Sequence, residues 1–382
     1  MLRALERPWP RVGLFALVVV VCASFVPRAW CGRGANALFR GDREAQESLA
    51  RAVAHHIEAG VGASAFRTGS ARFDGEWGLA TYQMAALGLM QVALAHPELQ
   101  ADLVAAVETC AERVLDPATT AFGTEAWGER GLDALSSANG HAYLGYANLA
   151  LGALRVLSPR NRFAAQHDRL TEALARRLEA SPHGVLETYP RESYPADIAA
   201  VVGSIGLYDR ATGSDQRALL ATFDAQMRAR CIDTASGLAF QSIDAATGRP
   251  TGPPRASGTA IAVYFLSFAD PPLARDLFDA MRRSQRASFL GFGGVREYAL
   301  GHAGGGDVDS GPVLFGVGVT ASAFSLAGAR MFGDRDLYET VYRTANLFGG
   351  PVDIGTRRPF TIAGSIGNAI LLAMLTAMPV GP

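Results

Sequence analysis

Residues 141–156, His-Ala-Tyr-Leu-Gly-Tyr-Ala-Asn-Leu-Ala-Leu-Gly-Ala-Leu-Arg-Val, decide the fold. Their one formal charge is Arg155, and small residues fall on every side of the helix they would form. A helix that is apolar all round must be shielded all round. Similar segments recur near residues 77–95, 195–207, 259–268, 313–329 and 364–378. Their Gly, Ala and Ser residues allow the close backbone approach that a ring around a central axis needs.

Between these segments lie helices of another kind, each with one apolar stripe and one charged face. The stripes are Leu49, Val53 and Ile57; Leu103, Val107 and Cys110; Leu170, Leu174 and Leu178; Leu219, Phe223 and Met227; Leu273, Leu277 and Met281; and Leu337, Val341 and Phe348. Such helices cover a core on one side and meet water on the other. Six buried helices alternating with six amphipathic ones, at a repeat of roughly 50–65 residues, predict an all-α double ring, an (α/α)6 toroid of six helical hairpins over residues 41–382. Buried-to-outer turns are short and carry breakers and caps: His96-Pro97, Ser158-Pro159, Gly213-Ser214, Asp270-Pro271 and Gly333-Asp334. The opposite connections are long. Strict alternation gathers them all at one end, over the N-termini of the inner helices, where the helix dipoles favour negative charge.

Residues 1–40 form a separate unit. Arg3, Arg7 and Arg11 precede an apolar run from Val12 to Val26, which reads as a signal peptide or a membrane anchor. Pro27-Arg28 follows where small residues would mark cleavage, so an uncleaved anchor with the domain in the cell envelope is the first expectation and secretion the second. The full chain is 49% apolar and 19% charged, which is globular, and its net charge of −1 gives no basic face for nucleic acid. All its basic residues apart from histidine are arginine, a mark of base composition. Cys22 lies within the apolar run and Cys31 just beyond it, while Cys110 and Cys231 sit on apolar stripes as small core residues. No Cys-x-x-Cys pair points to zinc, and His55-His56 lacks an acid at ligand spacing, so no metal or other cofactor is expected.

The loops before the inner helices hold the candidate site. Trp77 closes the cluster Phe73-Asp74-Gly75-Glu76-Trp77, and Asn139 and His141 close the second loop. The third loop, 187–197, brings Tyr189, Tyr194 and Asp197; the fourth brings Arg255 and Ser257; the fifth brings Arg296, Glu297 and Tyr298, then Asp307 and Asp309. Asp309 or Ser310 is placed as the cap of the fifth inner helix with Pro312 in its first turn. His141, Asp197, Asp307 and Asp309 are the candidate acid–base groups, with burial among aromatics to raise one carboxyl and arginine to hold another ionised. Tyr189, Tyr194, Trp77 and Tyr298 suit a ligand platform, and Asn139, Arg255, Ser257, Arg296 and Glu297 would position substrate. Each also fits a plain structural role as cap, loop tie or core packing. Gly291-Phe292-Gly293-Gly294 and the glycines at 301–306 lack the context of a phosphate loop and read as flexible connections.

On these residues, namely Gly140-His141, the 187–197 loop, 255–259 and 296–312, the chain resembles the (α/α)6-barrel proteins related to linalool dehydratase/isomerase over most of residues 45–380. It is similar, more loosely, to the six-hairpin glycosidases and polysaccharide lyases. The first resemblance implies a histidine, an aspartate, a tyrosine and cysteines acting on a small terpene alcohol, with His141 matching the histidine. The 187–197 region, where that family holds its cysteines, has none here, and Cys110 and Cys231 fall on outer helices. The expectation is therefore a cofactor-free lyase or isomerase of dehydratase type acting on a small organic molecule. The alternatives are a carbohydrate-active hydrolase or lyase, and a non-catalytic envelope scaffold.

Overall fold

In the computed structural model, residues 8–61, 66–137, 139–308 and 310–380 are described. The helices in chain order are α1 (Pro8–Cys31), α2 (Ala35–Arg40), α3 (Arg43–Ala59), α4 (Ala71–Ala95), α5 (Gln100–Leu115), α6 (Ala121–Trp127), α7 (Leu144–Leu157), α8 (Ala164–Ala180), α9 (Pro195–Thr212), α10 (Arg217–Arg230), α11 (Ala256–Leu266), α12 (Pro271–Gln285), α13 (Val319–Met331), α14 (Arg335–Gly349) and α15 (Gly364–Thr376).

Six of these close a ring. Helix α4 packs on α7, α7 on α9, α9 on α11, α11 on α13, α13 on α15, and α15 returns to α4. They are the six segments that the sequence leaves apolar on every side. Glycine permits the approach: a Cβ on Gly145 would stand 2.7 Å from the backbone nitrogen of Val201 in α9, and one on Gly203 would overlap the carbonyl oxygen of Phe265 in α11. The amphipathic helices lie outside. Helix α3 packs on α4 and α15, α5 on α4 and α7, α8 on α7 and α9, and α12 on α11 and α13, while α14 covers α13 and α10 packs on α8. The double ring is the predicted toroid.

The lumen closes partway down. Gln91 of α4 donates to the carbonyl of Ala373 at 2.9 Å and to Thr376 Oγ1 at 3.1 Å, both on α15, and accepts from Tyr264 of α11 at 3.2 Å. Helices α4 and α11 stand opposite each other in the ring, so this buried layer crosses the axis. Above it, several residues toward the N-terminal ends of the inner helices keep partial exposure, among them Ala80, Tyr146, Ala196, Ile261, Ala323 and Ile370. Outer helices cover the opposite side of the ring.

The connecting loops carry strands that the periodicity did not predict: β1 (Ile243–Asp244), β2 (Arg249–Pro250), β3 (Arg286–Phe289), β4 (Phe292–Arg296), β5 (Val313–Leu314) and β6 (Val317–Gly318). The last four form one antiparallel sheet in the order β3-β4-β6-β5. The glycines at 293 and 294, read as a flexible connection, are strand residues instead. Lacking side chains, they let β4 lie flat on α14, where Thr344 receives the amide of Gly293 at 3.1 Å. The fifth inner helix also starts later than expected. Residues 313–318 turn back through Phe315 and Gly316, both at positive φ, so the helix begins at Val319 and Pro312 lies outside it. Ser310 still serves that helix end through its carbonyl, which accepts from the amide of Thr320 at 3.2 Å.

Candidate functional site

The densest polar grouping at the mouth forms around Asp197. Pro195 opens α9 and puts Asp197 in its first turn, where the dipole tolerates an acid. Only 7% of Asp197 is exposed, and its two carboxyl oxygens each meet one hydroxyl, Tyr146 and Thr188, both at 2.6 Å. Burial pushes this carboxyl above its ordinary range, against the opposing pull of the Thr188 and Tyr146 hydrogen bonds. Tyr146 reaches it from α7 and stands edge-on to Phe265, with ring centres 5.6 Å apart.

The loop that supplies Thr188 folds as a tight turn in which Tyr189 and Glu192 pair and Arg191 takes a positive φ. It also ties in the first loop. The Tyr189 hydroxyl donates to Glu76 of α4 at 2.9 Å, and the Arg72 guanidinium lies 4.8 Å over the Tyr189 ring. Residues 188 and 189 thus hold two carboxyl groups, Asp197 and Glu76, from adjacent positions. Trp77 is partly exposed beside Phe66, with ring centres 6.0 Å apart. Tyr194 is also partly exposed, and its hydroxyl donates to Glu192 at 2.9 Å.

His141 sits behind this group. It precedes α7 rather than opening it, has a φ of 56°, and is 1% exposed. The helix starts only at Leu144 because Gly140 and His141 both take left-handed backbone. Trp127 stacks on the imidazole at 4.5 Å, Glu129 meets Nε2 at 3.4 Å, and burial pushes the imidazole below its ordinary range, with Glu129 opposing. Arg177, fully buried on α8, holds the same loop by donating to the carbonyls of Ala134, Ser137 and Gly140. Asn139 is exposed, and its side-chain oxygen accepts from the amide of Gly140.

The remaining candidates gather at the head of α11. Glu297 is completely buried, accepts from Arg255 Nε at 2.9 Å and from the Ser257 hydroxyl at 2.5 Å, and its carbonyl receives the amide of Ala256. Arg255 reaches on to Asp307, and its guanidinium lies 5.0 Å over the Tyr298 ring. Asp307 also accepts from Gln241 and from the amide of Ser310. Partial burial pushes the Asp307 carboxyl up, but the hydrogen bonds from Ser310 and Arg255 outweigh it and hold it below the ordinary range. That pattern ties a loop and leaves no proton to give at neutral pH. Arg296 points outward from β4, exposed, with its guanidinium 3.5 Å from the carbonyl of Arg286 and away from its neighbour Glu297. The Tyr298 hydroxyl donates to the carbonyl of Gly305 at 2.8 Å. Asp309 lies outside the described residues.

The structure therefore brings the predicted residues into two clusters. Asp197, Tyr189 and Tyr194 share one with Trp77 at its edge; Arg255, Ser257, Glu297, Tyr298 and Asp307 share the other. Tyr146, Glu129 and Arg177 are site residues absent from the sequence-based candidates, and Glu76 and Thr188 stood in the first and third loops without a role. One signal was available: Arg177 stands three residues after Leu174 and seven after Leu170, on the apolar stripe itself. Tyr146 gave none, since an aromatic in an apolar helix reads as core.

No protein-family model matches the chain. Among solved structures, the chain is similar to a GH76 α-mannanase from Bacteroides thetaiotaomicron at 11% identity, over 80% of this chain and 84% of that one, with a TM-score of 0.45. So distant an overlap carries no argument; the ring closure described above carries the fold.

Proposed function

We propose that the toroid is a cofactor-free enzyme that breaks a carbon–oxygen bond by acid–base catalysis, of the dehydratase or isomerase type, on a small and largely apolar alcohol. The observation that carries this reading is the hydrogen bond that the partly exposed Tyr146 donates to Asp197, a carboxyl that burial pushes above its ordinary range. In this reaction the Tyr146 phenol gives its proton to the departing hydroxyl, which leaves as water, and takes the proton of Asp197 in return. Glu76 then accepts the proton lost from the neighbouring carbon as the double bond forms. The partly exposed apolar residues Ala80, Ala196, Ile261, Ala323 and Ile370 toward the inner-helix N-termini support a substrate with few polar groups. The resemblance to linalool dehydratase/isomerase-like barrels points the same way, with His141 set behind the mouth as support for its loop. The apolar helix α1, 24 residues long with an exposed apolar run, supports a tether to a membrane.

A carbohydrate-active hydrolase is the second reading, favoured by the partly exposed rings of Trp77 and Tyr194 at the rim. One assay separates the two. Incubation with a panel of short branched alcohols and a panel of oligosaccharides, read by gas and liquid chromatography, is expected to yield alkenes or isomerised alcohols from the first panel only. Asp197→Asn and Tyr146→Phe should each abolish that turnover while keeping the unfolding temperature within a few degrees of wild type. Turnover that survives both substitutions rules out the proposed proton donor, and cleavage confined to the oligosaccharides selects the second reading.

A further inference from the structure

The C-terminal turn of α1 is clamped to a β-turn of the body. A Cβ on Gly291, in the turn between β3 and β4, would stand 2.7 Å from Cδ of Arg28. Arg343 of α14 donates to the carbonyl of the same Gly291 at 3.0 Å and packs against Gly32, while the Tyr342 hydroxyl donates to the carbonyl of Arg33 at 3.1 Å. The tip of this hairpin therefore has a fixed place at the foot of α1.

Its chemistry is wrong for water. Phe289 pairs with Phe292 across a two-residue turn, Leu290-Gly291, in which both residues have positive φ. Asn or Asp before Gly is the usual choice there, because a branched apolar residue strains in that conformation. Here the first turn residue is Leu290, 54% exposed, and Phe289 beside it is 77% exposed. Among the described residues, both side chains stay largely open to solvent.

The anchor explains them. As a helix, residues 12–26 span about 22 Å, less than the roughly 30 Å of bilayer hydrocarbon. A short span draws its flanks toward the interface, and the flank here is Arg28, Trp30 and Arg33. Trp30 is 64% exposed with the Arg33 guanidinium 4.1 Å over its ring, the pairing of an amphipathic aromatic and a cation suited to headgroup depth. The hairpin tip touches Arg28 and so lies at that depth too. We infer that Phe289 and Leu290 enter the headgroup region of the bilayer that α1 spans, giving the toroid a second membrane contact that fixes how it lies on the surface. This rests on the reading of α1 as an anchor.

The test places the full chain in nanodiscs of phosphatidylcholine and phosphatidylglycerol and reads an environment-sensitive fluorophore at one cysteine. Native Cys22 is exposed on α1, whereas Cys31, Cys110 and Cys231 are buried, so labelling at Cys22 reports the anchor. Cys22→Ala with Phe289→Cys moves the label to the hairpin. Both labels should shift to the blue and lose intensity to lipids carrying spin-label quenchers, deep-chain quenchers acting best at Cys22 and headgroup quenchers best at 289. Quenching at Cys22 but an iodide-accessible label at 289 overturns the second contact while leaving the anchor standing; aqueous labels at both sites overturn the anchor as well. A label at 289 shielded from iodide yet untouched by lipid quenchers assigns the tip to a protein partner and overturns the proposal. Leu290→Cys repeats the reading should Phe289→Cys fail to fold.

Discussion

At the residue scale, two carboxyl groups show how surroundings divide one chemistry into two roles. Asp197 is buried with two neutral hydroxyls, and burial pushes its carboxyl above the ordinary range; Asp307 faces Arg255 and is held below it. Glu297 depends on Arg255 in a stricter way, because a completely buried carboxylate that loses its partner stays desolvated. Arg255→Met is expected to cost about 3–5 kcal/mol of folding stability, measured by chemical denaturation. Adding Glu297→Leu should recover most of that loss, since no buried charge is then left alone. A double variant no more stable than the single would show that the pair does more than neutralise itself. An arginine beside a second carboxyl was legible in the sequence, and Arg255 meets Asp307; its pairing with Glu297, 42 positions away, was not, since each reads as a substrate contact.

At the scale of the element, what the sequence revealed best was the inner helix. A segment without a polar face has only one place to go, so residues 195–207 and 364–378 announced their burial unaided. Their edges were less legible. Local backbone strain at His141 and the hairpin at 313–318 delay two helices by three and six residues, and periodicity is blind to both causes. The strand at 292–296 was missed because Gly293 serves contact with Thr340 and Thr344 of α14 and Gly294 with Val317 and Ser322, partners distant in sequence. The role of inner-helix glycine is testable by contrast. Gly145→Ala would drive a methyl group into the backbone of α9 and should cost about 1–3 kcal/mol. Gly258→Ala, at an inner-helix position with open space and ordinary φ, should be neutral or gain about 0.4–1 kcal/mol. Equal effects in thermal unfolding would deny that the inner helices meet backbone to backbone.

At the scale of the whole molecule, ring closure is what gives Asp197 its properties. The inner helices meet around a lumen sealed by the Gln91–Tyr264 layer, and the long loops all return to its open end. A carboxyl at that end is 7% exposed and accepts hydrogen bonds from Tyr146 and Thr188. The consequence reaches global stability. Below the ordinary carboxylate pKa of about 4, native and unfolded chains both carry the proton and burial costs nothing extra. As pH rises, the unfolded chain ionises first, the native state binds more protons, and stability falls until the raised native pKa is passed. The most direct measurement is therefore the unfolding temperature of wild type and Asp197→Asn, followed by calorimetry from about pH 4 to 8. The account predicts that Asp197→Asn gains on wild type steadily as pH rises above the ordinary carboxylate range. A gap that stays constant, or that moves in favour of wild type, would mean that Asp197 is ionised in the folded protein, and the proposed proton donor would be lost.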